Sequence, residues 1–453
     1  MNELSTSFTN STHKIYKKFQ TNRLFVLKNL YFYIFFIYFL LPFNLIKLQI
    51  LDFELSVFFR IFFIIVGFIL IIKTKNVKNN LFSKILKPWI IYLSFKILLI
   101  IFSDNIFLHL RMFTLDIASL LVFWVGFKIF GDYLSYDIKK VNNFLMVAVA
   151  IIVITALYGL VVRNDLYYLN VKRAGGLFLG HPNSMAMFLS LAFINFIFFR
   201  IFYKKGKIKS LLNFFLPIII LITIIYSQAR ISWFTVLISI IILIIFLNKR
   251  KSIKLITLSV VIFFLIYISI PVIKSQSNQI FNYLNFTDFS SYYNKNISNL
   301  KISHSPNNLI GRFSIWGSIL RNTDNYLTGD GAGTVTRLRF YEVMPHSDYV
   351  TILVEYGSIC FFLYLIFKFS TFYYPLKYFL NDKSKKYNRL WLLLTCIIAI
   401  QGILFSITEN AFTAYEKFHL TFWLIYGMVL KRASNLDTVN NNVKKNTNEK
   451  GNN

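Results

Sequence analysis

The sequence ISWFTVLISIIILIIFL, at residues 231–247, carries no charged side chain. A helix of about 20 apolar residues crosses a hydrocarbon core about 30 Å thick, so this stretch predicts a membrane span. Similar stretches recur along the chain and predict an all-α polytopic membrane protein with about twelve transmembrane helices. The predicted spans are 29–48, 54–72, 88–103, 110–130, 144–162, 183–202, 211–226, 231–247, 253–273, 346–367, 390–408 and 411–430.

The two flanks of this stretch differ in charge. Arg230 precedes it, whereas Lys249, Arg250, Lys251 and Lys254 follow it. Basic loops recur at every second connection between the predicted spans, and cytoplasmic loops carry an excess of Lys and Arg. We therefore expect both termini in the cytoplasm. The formal net charge of +30 follows from this loop topology and does not predict nucleic acid binding.

The predicted spans divide the chain into five segments. One long polar gap separates two groups of spans, and we expect the chemistry there because nearly all other gaps are short. Neither a metal nor a cofactor is predicted, because no metal-ligand spacing is present and Cys360 and Cys396 fall inside spans. The segments are 1–28 (cytoplasmic N-terminal segment), 29–272 (membrane bundle of about nine helices), 273–345 (extracytoplasmic loop), 346–430 (membrane bundle of about three helices) and 431–453 (disordered cytoplasmic tail).

Arginine departs from the lysine pattern and maps to the outer side or to the outer halves of spans. The planar guanidinium group matches phosphate oxygens in a bidentate way, so these residues are candidates for phosphate binding. Alternatively, they reach lipid headgroups or balance Asp and Glu. We prefer this alternative for Arg60, Arg111 and Arg163. The outer arginines are Arg60, Arg111, Arg163, Arg173, Arg230, Arg312, Arg321, Arg337 and Arg339.

Residues 173–183 read RAGGLFLGHPN and lead into the predicted span 183–202. Pro182 suits a first helical turn, and Asn183 or the residue before it is expected to cap the helix. The positive end of such a helix dipole faces outward and favours an anionic ligand. An ordinary glycine-rich connector is the alternative, although Arg173 and His181 lie in the same segment.

Polar motifs also mark the end of the long loop. Arg312 and Trp316 lie four residues apart in a predicted amphipathic helix, and residues 329–333 read GDGAG. His346 lies where the loop re-enters the membrane, and its imidazole can exchange a proton near neutral pH. A lone interfacial histidine is more often structural, so this position alone does not settle its role.

The order of these motifs resembles the O-antigen ligase and polymerase (Wzy-type) superfamily of membrane glycosyltransferases. The resemblance covers roughly residues 170–365. Two positions depart from the family pattern: Ser347 stands where members often carry asparagine, and Gln228-Ala229 lengthens the serine–arginine spacing. The motifs that carry the resemblance are GLFLGHPN ending at Asn183, SQAR ending at Arg230, RFSIW from Arg312, GDGAG at 329–333, PHSDY at 345–349 and EYG from Glu355.

The resemblance implies transfer of an undecaprenyl-pyrophosphate-linked glycan to an acceptor sugar hydroxyl on the outer face of the bacterial cytoplasmic membrane. It implies His346 as general base and displacement with inversion, without a metal. We interpret the chain as a polymerase that forms O-antigen, capsule or exopolysaccharide from repeat units. The residues expected to bind pyrophosphate or glycan are Arg173, Arg230, Arg312, Arg337, Arg339, His181, Asn183, Asp348, Tyr349 and Glu355.

Three alternatives remain at this point. A ligase of the same superfamily shares every motif, and a lipid-linked oligosaccharide flippase also needs many spans and arginines. A structural scaffold of an export complex would leave His346 dispensable. The predicted partners are the lipid-linked oligosaccharide and membrane lipids, with a chain-length regulator and a flippase as candidate protein partners and no nucleic acid.

Overall fold

The structure is a computed structural model that describes residues 25–41, 49–50, 53–74, 79–103, 105–130, 136–162, 167–168, 171–172, 181–202, 207–227, 229–246, 315–317, 319–337, 346–381 and 388–434. The predicted span 253–273 lies outside these residues, as do 273–314 and 338–345 of the predicted loop. The main helices are α1 (Phe25–Leu40), α2 (Leu55–Lys73), α3 (Asn80–Leu98), α4 (Ile106–Val125), α5 (Tyr136–Val162), α6 (Pro182–Phe202), α7 (Lys207–Ser227), α8 (Arg230–Phe246), α9 (Asp348–Asn381), α10 (Arg389–Thr408) and α11 (Glu416–Ser434).

The helices confirm the predicted all-α class. Two pairs of antiparallel two-residue strands are the exceptions among the described residues: β1 (Gln49–Ile50) with β2 (Phe53–Glu54), and β3 (Tyr167–Tyr168) with β4 (Val171–Lys172). In the described ranges, five helical stretches are long and apolar enough to cross a membrane, which indicates a membrane protein. They are Ser56–Lys73, Asn80–Phe102, Ile106–Phe130, Asp348–Asn381 and Arg389–Thr408.

The end of α4 crosses α11 at two glycines, Gly126 directly after α4 and Gly427 within α11. A Cβ atom on Gly126 would lie 2.6 Å from the Leu424 carbonyl oxygen, and one on Gly427 would lie 2.3 Å from the Phe123 carbonyl oxygen. Close backbone approach at small residues is a common way to pack helices in membranes. At its start, α11 contacts α2 through the ion pair of Glu416 with Arg60, near the polar residues described below.

Helix α9 folds back on itself at Gly357. This residue has φ 76° and ψ 176°, which ends one helix and starts another. The rings of Tyr349 and Tyr364 lie 5.7 Å apart, whereas a straight helix would separate these residues by about 22 Å. Ser347, directly before the helix, and Tyr364 both reach Ser406: Ser347 Oγ lies 3.4 Å from its carbonyl oxygen and Tyr364 Oη 3.5 Å from its Oγ.

We name the arms of this hairpin α9a, residues 348–356, and α9b, residues 358–381. The predicted span 346–367 therefore joins all of α9a to the first part of α9b. The arm α9b alone is about 36 Å long, which is enough to cross a membrane. The start of α9a, at the fully buried Asp348, therefore lies inside the bundle.

The bundle has two chemically distinct ends. At the first, which we call the site end, the starts of α2, α6, α9a and α11 meet the end of α10 through polar contacts. At the opposite end, which we call the lysine end, basic side chains pack over aromatic rings. Its members include Lys28 over Phe130, Lys84 over Tyr378, Lys431 over Phe127 and Arg389 over Phe379.

Candidate active site

The buried carboxylate of Glu409 lies at the centre of the site end. Asn183 donates a hydrogen bond from Nδ2 to Glu409 Oε1 at 2.8 Å, and His346 Nδ1 lies 3.4 Å from Glu409 Oε2. Glu409 directly follows α10, where its backbone N–H still bonds to the Phe405 carbonyl at 2.9 Å. Three segments that are distant in the sequence therefore meet at one carboxylate.

His346 has an unusual backbone conformation. Its φ is 49°, and no other non-glycine residue in the described ranges has a positive φ. The left-handed region is costly for a residue with a Cβ, and such outliers cluster at functional sites. The conformation turns Nδ1 towards Glu409 and leaves the side chain 22% exposed. A carboxylate at Nδ1 favours the tautomer in which Nε2 is unprotonated and can accept a proton.

His181 caps helix α6. Its Nδ1 accepts the backbone N–H of Asn183 at 3.2 Å, which is the role the sequence assigned to Asn183 or Pro182. Because the ring of His181 serves as the cap, the Asn183 amide is available to bond Glu409. The Tyr415 hydroxyl lies 3.2 Å from the same His181 nitrogen, and the two rings stack at 5.7 Å. His181, His346 and Tyr415 are all half-buried, whereas Glu409 is buried.

Asp348 anchors the turn that carries Glu409 and Tyr415. Its fully buried carboxylate accepts the N–H groups of Phe412, at 3.1 Å, and Thr413, at 3.0 Å, together with the Thr413 hydroxyl at 2.8 Å. This turn replaces the first residues of the predicted span 411–430, so α11 begins at Glu416. The sequence predicted Asp348 as a substrate-binding residue, but these contacts occupy its carboxylate inside the protein.

A buried lysine packs against this turn. Lys368 Nζ lies 3.1 Å from the centroid of the Phe412 ring, and it has no hydrogen-bond partner in the described part of the chain. It borders a cavity that leaves about 20 Å³ for the centres of water molecules, enough for about one water. Lys368 also interacts electrostatically with Asp348. Lys368 therefore contacts the Phe412 ring, while Asp348 binds the backbone N–H groups of residues 412 and 413.

Arg230 begins α8 at the same level as Asn183 and Glu409. Gln401 Nε2 reaches the Ser190 carbonyl at 3.5 Å and Ser239 Oγ at 3.1 Å, which ties α10, α6 and α8 together at one level. From that level, Asn183, Glu409 and Arg230 lie about 11, 12 and 13 Å along their helices towards the site end. The structure therefore places the half-buried Arg230 at the site end.

Of the other predicted site residues, three lie within the described part of the chain and three lie outside it. Glu355 accepts the Gly333 N–H at 2.9 Å, and Tyr349 packs against Phe361 and Tyr364. Arg337 ends a four-residue helical turn, Thr334–Arg337. The remaining predicted site residues, Arg173, Arg312 and Arg339, lie outside the described residues.

Sequence reasoning missed Glu409, Tyr415 and Glu416. Glu416 pairs with the buried Arg60, which also donates to the Arg111 carbonyl at 3.2 Å. This pair confirms for Arg60 the alternative that an outer arginine balances an acidic residue. One signal for Glu409 was present: it is one of only 19 acidic residues, and it falls in the two-residue gap between the predicted spans 390–408 and 411–430.

Residues 215–365 match the model of a protein family described as O-antigen ligase. The matched region contains Arg230, His346 and Asp348, whereas His181, Asn183 and Glu409 lie outside it. The match confirms the predicted resemblance to the O-antigen ligase and polymerase superfamily, whose members are glycosyltransferase-like enzymes. A search of curated proteins found no match to the chain.

Proposed function

We propose, on the premise that residues 215–365 form an O-antigen ligase domain, that this protein is a polysaccharide repeat-unit polymerase. It transfers an undecaprenyl-pyrophosphate-linked glycan to a sugar hydroxyl of the acceptor at the outer face of the bacterial cytoplasmic membrane. The contact between His346 and Glu409 is the observation that supports this proposal most directly. It gives the half-buried His346 a carboxylate partner that favours an unprotonated Nε2.

His346 is the general base of the proposed reaction. The acceptor hydroxyl oxygen attacks the anomeric carbon, its proton passes to His346 Nε2, and the bond from that carbon to the pyrophosphate oxygen breaks with inversion. Glu409 accepts the Nδ1–H and stabilises the imidazolium that forms, as carboxylates do in other carboxylate–histidine pairs. Asn183 in turn holds the Glu409 carboxylate in place. The leaving pyrophosphate takes the bonding electrons and needs no proton at neutral pH.

Positive charge for the leaving group comes from Arg230 and from helix starts in this proposal. Helices α6, α8 and α9a begin at the site end, so their positive dipole ends point towards an anion there. Arg230 adds a guanidinium group that can bind two phosphate oxygens at once. Arg173 is the second arginine proposed for this role.

The proposed orientation has twelve spans, both termini in the cytoplasm and residues 273–345 outside. The concentration of lysines at the end opposite the site supports it, because basic side chains favour the cytoplasmic side. A cysteine introduced at Ser291 should react with an impermeant maleimide in intact cells, and one at Ser384 should not. The native Cys360 and Cys396 are buried and should contribute little background. Labelling of Ser384→Cys alone would reverse the orientation.

A ligase is the second candidate, because the matched family is described as O-antigen ligase. The two activities share the donor and differ only in the acceptor. We expect purified protein in vesicles to convert lipid-linked repeat units into lipid-linked polymer. Transfer to an added lipid A core, with no polymer formed, would favour the ligase.

The same assay tests the role of His346. We expect His346→Ala to bind the lipid-linked donor while its transfer rate falls about 10²- to 10⁴-fold, the usual contribution of a general base. In cells, single repeat units should accumulate on the outer face of the membrane. Accumulation on the cytoplasmic face would instead indicate a flippase.

A further inference from the structure

The break in α9 is completed by a distant part of the chain. A helix end leaves backbone groups without partners, and here residues 326–331 supply them. The N–H groups of Asp330 and Gly331 donate to the carbonyls of Val354, at 2.9 Å, and Glu355, at 3.2 Å. On the other side of the break, Ser358 N–H donates to the Tyr326 carbonyl at 2.8 Å.

The fit between the two segments depends on glycine. Gly329 has φ 79°, and a Cβ there would lie 2.5 Å from the Glu355 carbonyl oxygen. Gly357 has φ 76°, and a Cβ there would lie 2.2 Å from the Leu327 carbonyl oxygen. Neither position accepts a side chain without moving backbone. The motif GDGAG therefore packs against a helix break.

Glu355 adds a side-chain contact to this joint. It is the penultimate residue of α9a, its side chain is buried, and its Oε1 accepts the Gly333 N–H at 2.9 Å. At the other end of the same arm, Asp348 holds the turn that carries Glu409, and His346 lies two residues further. The arm α9a therefore connects the joint at 326–333 to the catalytic pair.

We propose that residues 319–337 brace the first arm of α9 and that Glu355 is a positioning residue for His346, an inference that rests on the proposed function. The arm is about 12 Å long, so a tilt of about 10° at the break displaces its far end by about 2 Å. A displacement of about 1 Å of a reacting group can lower a rate about 10²-fold. The brace thus sets the position of His346 in the chemical step and does not itself contact the substrate.

Two pairs of variants test the brace in the vesicle polymerisation assay. Glu355→Ala should lower kcat about tenfold or more and leave KM for the lipid-linked donor within about twofold. Glu355→Gln should restore kcat to within about threefold of wild type, because its amide oxygen still accepts the Gly333 N–H. If Glu355 instead bound substrate through its charge, Glu355→Gln would resemble Glu355→Ala and raise KM.

Gly329→Ala and Gly317→Ala form the second pair. The first should lower kcat at least tenfold. The second should behave as wild type, because the nearest atom to its Cβ would be the flexible Arg321 side chain at 3.8 Å. If Gly329→Ala does not accumulate in membranes, the two Glu355 variants alone test the brace. Wild-type kcat for Glu355→Ala would overturn the brace, whereas an inactive wild-type protein would instead overturn the proposed polymerase.

Discussion

The two ends of the bundle differ in the charged groups that they bring together and in the partners of those groups. At the lysine end, ammonium groups pack over aromatic rings, as Lys84 does over Tyr374 and Tyr378 at 5.5 and 5.2 Å. At the site end, carboxylates bond to a histidine, an amide and backbone N–H groups in a recess below the break in α9. The difference teaches that lysine placement supports only the proposed orientation, whereas the site is built from buried hydrogen bonds between distant segments.

Among substitutions at the two ends of the bundle, those of Arg230 at the site end should lower the transfer rate most. Arg230→Ala should abolish detectable polymer while membrane insertion stays normal, because in the proposed reaction its charge stabilises the leaving pyrophosphate. Arg230→Lys should recover little activity, since an ammonium group lacks the bidentate fork. Transfer rates in vesicles and protein levels in membranes measure both outcomes. Full activity of Arg230→Lys would count against phosphate binding at this position.

A smaller loss is expected when Glu409 loses its orienting amide. Asn183→Ala removes the 2.8 Å hydrogen bond to Oε1 and should lower kcat about tenfold, a change of about 1.4 kcal/mol. Asn183→Asp should cost more, because a second carboxylate would face Glu409. Initial rates at saturating donor give both values. Equal rates for the two variants would show that charge repulsion at this contact is unimportant.

The smallest effect should come from the lysine end. Lys84→Ala removes ring contacts with Tyr374 and Tyr378, which contribute about 0.5–1 kcal/mol at exposed sites, and the 3.1 Å hydrogen bond to the Tyr378 hydroxyl. The transfer rate should stay within about twofold of wild type, while the thermal midpoint of the purified protein falls slightly. A loss of activity as large as that of Asn183→Ala would remove the contrast between the two ends.

The sequence could predict the helical class and the gathering of His181, Asn183 and His346 at one end, because hydropathy and lysine placement locate span ends. It could not predict the fold-back of α9. Residues 346–367 are apolar enough to look like one span, and the break depends on the φ of a single glycine that residues 326–331 support. The role of Glu409 was hidden for a related reason, since its partners are Asn183 of α6 and His346, two residues before α9a.

The coupling between Glu409 and His346 tests the account most directly. Transfer rates of Glu409→Gln, His346→Ala and the double variant should be compared in vesicles with the lipid-linked donor. If Glu409 acts through His346, Glu409→Gln alone should lower kcat at least tenfold, and adding it to His346→Ala should lower kcat no further. Fully multiplicative losses, or a wild-type rate for Glu409→Gln, would contradict a catalytic pair at the centre of this site.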